Sequence, residues 1–218
     1  HLRHQDVIKA CERSLRRLRT DFIDLYQIHW PSGSFGSEIV SIEETMHAMA
    51  ELRRAGKIRA VGVSNFSLTQ LQQAMAFGQI DSIQSAYSLF WRHVEYDGLL
   101  DFCQRNELSV LAYSPLAQGL LTGRFGRRHR FDKRDQRRLN RMFQPRLLAQ
   151  AQKALRELET IAQRNSCTVA QLALAWLIHQ DSVFAVAGCR NADQARLNAL
   201  AMQVDISPAE LALTGQVS

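Results

Sequence analysis

Short apolar segments alternate with helical segments along most of this 218-residue chain. The apolar segments have the length of strands. They are Ile23–Trp30, Ile58–Ser64, Ser82–Tyr87, Ser109–Tyr113 and Phe184–Ala187. Because helical segments separate them, hairpin connections are excluded and parallel strands joined by right-handed crossovers are predicted. The fold class is therefore α/β, with five strands that form either an open sheet or five-eighths of a barrel.

Helices are predicted from apolar periodicity and from capping signals. Capping boxes at Ser41–Glu44 and Ser67–Gln70 mark two helix starts. We predict helices over residues 6–18, 41–54, 67–77, 99–105, 147–164, 169–179 and 191–202, and another that begins at Ser207–Glu210. The whole chain, residues 1–218, is interpreted as a single domain.

One long segment, residues 114–146, interrupts the alternation and carries most of the basic charge. The net charge is +6, but Arg124–Arg146 alone holds ten Arg or Lys against two acids. The rest of the chain has 17 basic and 19 acidic residues and is close to neutral. A nucleic-acid surface across the whole domain is thereby disfavoured. A connection of this length predicts a functional loop.

Composition bounds the remaining function classes. Charged residues make up 22% of the chain, and no stretch approaches ~20 continuous apolar residues, so no transmembrane helix is predicted. Four widely spaced cysteines disfavour a zinc site and a disulfide scaffold, and predict reduced thiols in a cytoplasmic protein. The first residues contain neither an initiator Met nor an apolar signal segment, which is consistent with a chain that begins inside a longer protein.

Polar residues stand at the ends of the predicted strands. The five positions are His29, Ser64–Asn65, Gln84, Tyr113–Ser114 and Cys189–Arg190. Taken alone, each of these polar residues is more often the cap of a strand end than part of a ligand site. The carboxyl ends of parallel strands meet at one face, however, and five polar ends together favour one ligand site there.

Four stretches carry a resemblance to a known family. They are Ile23–Trp30, Gly56–Phe66, Leu111–Gly123 and Gly188–Gln194. In this order the chain resembles the carboxyl-terminal two-thirds of an aldo/keto reductase, over nearly all its residues. The resemblance implies a (β/α)8 TIM barrel of which strands 4–8 are present here. It also implies that NADP(H) binds without a Rossmann glycine motif, so the absence of that motif is expected.

The resemblance implies roles for residues near the nicotinamide. His29 matches the catalytic histidine that orients the substrate carbonyl, although a core histidine is the alternative. Ser64, Asn65 and Gln84 match the groups that hold the nicotinamide carboxamide, and amide side chains suit this because they offer a donor and an acceptor. Tyr113 matches the ring that stacks on the nicotinamide, with a core tyrosine as the alternative.

Two further segments match positions that hold the rest of the cofactor. The candidate pyrophosphate contacts are Ser114, Leu116 and Gly119, with Arg124 either pairing with a phosphate or simply solvated. The candidate contacts to the adenosine 2′-phosphate and adenine are Gly188, Arg190, Gln194 and Asn198. Gln194 has an alternative role, because Asn191–Gln194 also has the spacing of a capping box. Leu197 stands where many relatives carry an acid.

The family reaction also needs a tyrosine acid with a lysine and an aspartate beside it, all from the first three strands. No tyrosine or lysine of this chain lies in the matching context, so we expect these groups upstream of His1. The expected function is NADPH-dependent reduction of a small aldehyde or ketone, with Trp30 and Trp91 lining the substrate pocket. The chain alone is then expected to be poorly stable and inactive. A non-catalytic NADP(H)-binding protein is the alternative; a nucleic-acid binder using Arg124–Arg146 is less favoured.

Overall fold

The structure is a computed structural model that describes residues 1–126 and 129–217. Within these residues five strands occupy the predicted places. They are β1 Ile23–Ile28, β2 Ile58–Ser64, β3 Ser82–Ala86, β4 Ser109–Tyr113 and β5 Val183–Val186. The strands are parallel and are hydrogen-bonded in sequence order, which confirms the α/β fold class.

Helices connect the strands. The α-helices are α1 His4–Leu18, α2 Ile42–Arg54, α3 Leu68–Met75, α4 His93–Tyr96, α5 Leu99–Arg105, α6 Pro145–Arg164, α7 Val169–Ile178, α8 Ala192–Ala199 and α9 Pro208–Gln216. Short 3-10 helices lie at Ser34–Gly36, Ala117–Thr122, Gln136–Leu139, Arg141–Phe143 and Leu200–Gln203. Three of these fall within residues 114–146, so this segment is more ordered than the predicted loop. Helix α4 was not predicted.

The predicted capping boxes are confirmed in one case and only half-formed in another. At Ser67 both reciprocal hydrogen bonds with Gln70 are present. At Ser41 the side chain accepts from Glu44 N, but the Glu44 carboxylate accepts from the His4 backbone N–H at 3.0 Å instead of returning to Ser41. The prediction of a full box was wrong there because Glu44 joins the start of α1 to α2.

The chain divides into two compact units. Unit 1 comprises His1–Ser85 and Val94–Leu111, and unit 2 comprises Ala86–His93 and Ala112–Ser218. In unit 1 one face of the sheet is apolar and buried, with Val61, Val63 and Ile83 nearly inaccessible. Apolar side chains of α1, α2 and α3 are buried as well, so this face together with the helices forms the core of the unit.

The opposite face of β1–β3 carries polar side chains toward the carboxyl ends of the strands. The register places Gln27 of β1 beside Gly62 of β2, Gly62 beside Ser82 of β3, and Ser64 beside Gln84. Side chains alternate between the two faces of a strand, so these five residues share the face away from the apolar core. An interior polar layer is thus set by the strand register.

Unit 2 is built around α7. Residues Leu172, Ala173, Ala175 and Leu177 of this helix are inaccessible to solvent. A helix that is apolar on all sides belongs in the interior of a unit. It contacts β5 and α6, and α6 buries a single apolar face that includes Leu158. This core holds β5 and the segments that follow β4 and β5.

Candidate active site

A network of hydrogen bonds joins the carboxyl ends of β1, β2 and β3. Asn65 Nδ2 donates to the backbone oxygen of His29 at 3.1 Å and to Ser64 Oγ at 3.0 Å. Ser64 Oγ in turn donates to the backbone oxygen of Gln84 at 3.0 Å. The structure therefore brings together four residues that the sequence analysis assigned to the nicotinamide end of the site.

The backbone at Asn65 has an uncommon conformation. Its φ is 61°, in the left-handed region, which Asn adopts more readily than most residues because its short side chain can hydrogen-bond locally. Its N–H donates to the Gln84 oxygen at 3.0 Å. This bend directs the Asn65 side-chain amide back toward β1. There it donates a hydrogen bond to the backbone oxygen of His29, just after the end of the strand.

His29 follows β1 and is exposed to solvent. We predicted that β1 would run to Trp30, but it ends at Ile28, because the next carbonyl is bonded to the Asn65 side chain and Pro31 has no N–H to donate. The Trp30 ring lies 6.2 Å from the His29 ring and meets Phe35 edge to face at 4.8 Å. An exposed imidazole offers one donor and one acceptor to a ligand.

Gln27 is a member of this site that the sequence analysis missed. Its Nε2 donates to Gln84 Oε1 at 3.1 Å, across the intervening strand β2. Its Oε1 is buried and has no hydrogen-bond partner among the described residues, and the same holds for Ser82 Oγ. A polar residue at an interior position of an apolar strand, followed in the next strand by a central glycine, was the available signal.

Unit 2 carries Tyr113 at the end of β4. Its side chain is partly buried, and this burial raises the pKa of the phenol above its usual value. The next residue, Ser114, has a φ of 52°, and Ala117 and Gln118 are also left-handed at 49° and 55°. Three non-glycine residues in this region indicate a strained turn of the kind found at ligand sites.

The turn after β4 is closed by its own backbone. Ala117 N donates to Ser114 O at 2.8 Å, and Gly119 N donates to Leu116 O at 2.9 Å. Gly119 has a φ of 94°, which only glycine adopts without strain, and a Cβ there would lie 3.3 Å from the Phe125 ring. The role of Ser114, Leu116 and Gly119 at a pyrophosphate stays a prediction, with the Gly119 N–H already donated within the turn.

Part of the Arg-rich segment docks on this turn. Arg137 Nη1 donates to the Gln118 backbone oxygen at 3.5 Å, and Asn140 Nδ2 donates to Gln118 Oε1 at 3.0 Å. Asp135 accepts from Arg137 Nε and Nη2 at 2.9 and 2.5 Å, and these bonds hold the pKa of Asp135 down at about 2. Arg124 is exposed.

The Arg137 guanidinium also lies against aromatic rings. It is 4.9 Å from the centre of the Phe131 ring and 5.4 Å from that of Phe125. Such cation–π contacts favour a fixed position for the guanidinium. The three residues therefore hold this part of residues 114–146 in a defined arrangement.

The segment after β5 is organised by capping bonds. Gln194 Oε1 accepts from the Arg190 N–H at 2.8 Å, while Asn191 Oδ1 accepts from Gln194 N at 2.9 Å. Gln194 thus caps the start of α8. Its side chain accepts from the backbone N–H of Arg190, whereas in a standard capping box it would accept from the N–H of the N-cap residue Asn191. Asn198 Nδ2 donates weakly to Gly188 O at 3.5 Å. The exposed Arg190 side chain remains the candidate for a phosphate contact.

The two tryptophans proposed for the substrate pocket belong to different units. Trp30 lies beside His29 in unit 1, as described above. Trp91 is exposed in unit 2, where its ring meets His93 at 5.9 Å. In the described part of the chain no helix is long and apolar enough to cross a membrane, and no cluster of three metal-ligating side chains is found.

Comparison with known proteins places this geometry in a family. A profile described as the Aldo/keto reductase family matches residues 1–217. The NADH-specific methylglyoxal reductase of Escherichia coli K12 is 32% identical over 220 residues, which cover 100% of this chain and 66% of the relative.

Solved structures give the same result. A glycerol dehydrogenase from Gluconobacter oxydans superposes with a TM-score of 0.92 at 33% identity, covering 100% of this chain and 64% of that one. An aldo/keto reductase from Klebsiella pneumoniae, solved with NADP and acetate, has a TM-score of 0.71 at 33% identity and covers 96% and 63%. The chain therefore spans between about half and two thirds of the length of the relatives it matches.

Proposed function

Because the chain belongs to the aldo/keto reductase family of NAD(P)-dependent oxidoreductases, we propose that it takes part in the reduction of small aldehydes and ketones to alcohols. The observation that carries this proposal is the hydrogen-bonded group His29, Ser64, Asn65 and Gln84 at the ends of three neighbouring strands. Such a group suits a cofactor carboxamide that lies next to the carbonyl of a second, small molecule.

Each unit carries groups that suit a part of a nicotinamide dinucleotide. Gln84 offers an amide in unit 1, and a carboxamide ligand needs a partner of this kind. In unit 2 the exposed Arg190 suits an anionic group, since a guanidinium pairs well with phosphate. When bound, the dinucleotide supplies the hydride, and Tyr113 would offer its ring to the nicotinamide.

We propose NADPH as the preferred cofactor. Arg190 and the ten basic residues of Arg124–Arg146 favour the additional 2′-phosphate. One relative is named as NADH-specific and another was solved with NADP, so both nucleotides occur among the proteins this chain resembles. We therefore attribute the proposed preference for NADPH to these basic residues. Binding of NADPH and of NADH to the same protein tests it.

His29 would act on the substrate. Its exposed imidazole can hydrogen-bond to a carbonyl oxygen and orient the carbonyl carbon toward the hydride. The neighbouring Trp30 offers an apolar wall for the same molecule. A small carbonyl compound such as methylglyoxal, on which one relative is named as acting, is the proposed substrate class.

The proton for the carbonyl oxygen would come from a tyrosine outside this chain. A tyrosine acid that works near neutral pH needs a lowered pKa, whereas burial raises the pKa of both Tyr26 and Tyr113. Tyr87 is fully buried against Trp176, and Tyr96 is 81% exposed. We propose that the missing acid lies in a segment that supplies the first three strands, and that the chain without it binds NADP(H) and does not turn over.

The experiment compares the chain alone with a chimera that joins it to the first three strands of the Escherichia coli relative. We expect quenching of intrinsic fluorescence by NADPH in both, and methylglyoxal reduction only in the chimera. His29→Ala in the chimera should abolish reduction and leave NADPH affinity nearly unchanged. NADPH binding by neither protein would overturn the proposed function, and turnover by the chain alone would overturn the assignment of the acid.

A further inference from the structure

Most basic side chains of the Arg-rich segment are exposed and unpaired. The Arg137 guanidinium forms an ion pair with Asp135, but no carboxylate of the described residues pairs with the exposed cations of this segment. Like charges held close together repel one another, so such a surface is favourable beside an anionic partner. The exposed cations are Arg124, Arg130, Lys133, Arg134, Arg138, Arg141 and Arg146.

One dinucleotide does not account for this surface. Among the cations of the chain, the family resemblance implies phosphate contacts for Arg124 and Arg190 only. The other exposed cations of the segment lie in residues 130–146 and contribute to the proposed function only through the overall positive field. They are therefore available to a second anionic partner.

Asn140 anchors the middle of this surface. Its Oδ1 accepts from the Met142 N–H at 2.9 Å, and its Nδ2 donates to Gln118 Oε1 at 3.0 Å. Because the backbone of Met142 can only donate here, the orientation of the Asn140 amide is fixed. The residues on either side, Leu139 and Arg141, are exposed. The anchored backbone thus holds their side chains out toward solvent.

Leu139 is the most informative member of this surface. Its side chain is 76% exposed although it is apolar, and it stands between Arg138 and Arg141, with only Asn140 intervening. An apolar side chain among cations suits an anionic lipid surface. The apolar group enters the boundary between headgroups and acyl chains, and the cations contact the headgroups.

The aromatic rings of the segment face inward. Phe131 lies 5.3 Å from Phe125 and 4.8 Å from Phe143, and Phe125 is only 7% exposed. The Arg137 guanidinium covers two of these rings. Proteins that bind single-stranded nucleic acid use rings on which bases stack. Because these rings pack on one another, a lipid surface is favoured over nucleic acid.

We propose that the segment forms a peripheral binding surface for bilayers that contain anionic phospholipid. Leu139 enters the edge of the apolar layer, while Lys133, Arg134, Arg138 and Arg141 contact the phosphate headgroups. The inference goes beyond the proposed function, because it assigns these cations a partner other than the cofactor. It requires no turnover and no residue of unit 1.

Co-sedimentation of the full chain with lipid vesicles tests the inference. Vesicles of phosphatidylcholine and phosphatidylglycerol in equal parts supply the anionic surface, and vesicles of phosphatidylcholine alone are the neutral reference. We expect binding to the mixed vesicles that weakens as salt is added, since salt screens the attraction, and much weaker binding to the neutral ones. Absence of binding to the mixed vesicles, or equal binding to both, would overturn the inference.

Paired substitutions locate the surface. Arg138→Gln combined with Arg141→Gln removes two of its cations and should weaken binding to the mixed vesicles by roughly ten- to thirtyfold. The matched control combines Arg16→Gln with Arg17→Gln, which removes two exposed cations beside the exposed Leu18 of α1. Equal weakening in the two proteins, each verified as folded by circular dichroism, would show attraction to net charge alone and would overturn the inference.

Leu139→Ser separates a lipid surface from a general affinity for polyanions. It removes the apolar side chain without a change of charge, so affinity for the mixed vesicles should fall by roughly tenfold. Binding of a single-stranded oligonucleotide, measured in the same buffer, should not change. Unchanged vesicle affinity in this variant would overturn the assignment to lipid and favour another anionic partner.

NADPH tests whether the surface is distinct from the cofactor site. Vesicle affinity at saturating NADPH should stay within a few-fold of its value without the cofactor, since Leu139, Arg138 and Arg141 lie outside the candidate cofactor contacts. Loss of vesicle binding on addition of NADPH would show that these cations belong to the cofactor site. That result would overturn the inference and leave the proposed function standing.

Discussion

The side-chain nitrogen of Asn65 and the backbone oxygen of His29 lie 3.1 Å apart, and this hydrogen bond joins the end of β2 to the end of β1. The same nitrogen donates to Ser64 Oγ. The position of His29 therefore depends on a side chain that the family resemblance assigns to the cofactor. Cofactor binding and orientation of the substrate carbonyl would share one structural element.

Replacing Asn65 tests this connection. Asn65→Gly removes both side-chain hydrogen bonds and tolerates the left-handed φ of 61°, so we expect the free energy of unfolding to fall by about 1–2 kcal/mol. Asn65→Ala loses the same bonds and adds roughly 1 kcal/mol of backbone strain. Urea denaturation of both variants measures the two contributions separately. Equal stability of the two variants would contradict the strained backbone, and wild-type stability in Asn65→Gly would contradict the role of the hydrogen bonds.

A second prediction concerns the space above Gly62. In Gly62→Ala the new Cβ would approach Gln27 Cγ and Ser82 Oγ to 2.7 Å, so the side chains of Gln27 and Ser82 must move. Overpacking of this kind lowers the free energy of unfolding by about 1–3 kcal/mol. Gly126→Ala is the matched control, because nothing lies within 4 Å of a Cβ there. We expect the control to stay within about 0.5 kcal/mol of the wild type in urea denaturation.

The third prediction is a pH dependence in the Arg-rich segment. The hydrogen bonds from Arg137 lower the pKa of Asp135 from 3.8 to about 2. A lowered pKa means that the folded protein binds this proton less readily than the unfolded chain. The contribution of the pair to stability is therefore complete above the ordinary pKa and is lost as the pH falls through about 2.

NMR titration of the Asp135 carboxyl carbon checks this directly. The wild type should titrate near the lowered value, and Arg137→Met should return the midpoint toward the ordinary range because the donor is gone. The same variant should increase hydrogen exchange in the turn at Gln118, on which Arg137 docks. A midpoint that Arg137→Met does not move would refute the assigned cause.

Much of the fold could be predicted from the sequence because it depends on local patterns. The apolar segments predicted both ends of β2 and of β4 correctly. The spacing of Ser67 and Gln70 predicted a capping box, and the structure contains it. The contact between Gln27 and Gln84 could not be predicted, because it depends on the register of three strands. A sequence shows which residues lie at strand ends, but it does not show which side chain crosses a neighbouring strand.

The turn after β4 shows the same limit. Gly119 was the visible signal, yet Ser114 and Gln118 adopt left-handed conformations that their residue types do not favour. The docked Arg137 and Asn140 come from about twenty residues further along the chain and contact Gln118 there. The basic segment was recognised by its charge, whereas its contacts with the turn required the structure.

The last prediction concerns the choice between the two nucleotides. If Arg190 pairs with the 2′-phosphate, Arg190→Ala should weaken NADPH binding by roughly ten- to a hundredfold, the range for a lost charge-assisted hydrogen bond, and leave NADH binding nearly unchanged. Arg196→Ala removes the same charge from an exposed position of α8 and serves as the control. Dissociation constants of both nucleotides for both variants separate a specific contact from a general effect of charge. Equal weakening of NADPH in the two variants would show that Arg190 contributes only to the overall positive field.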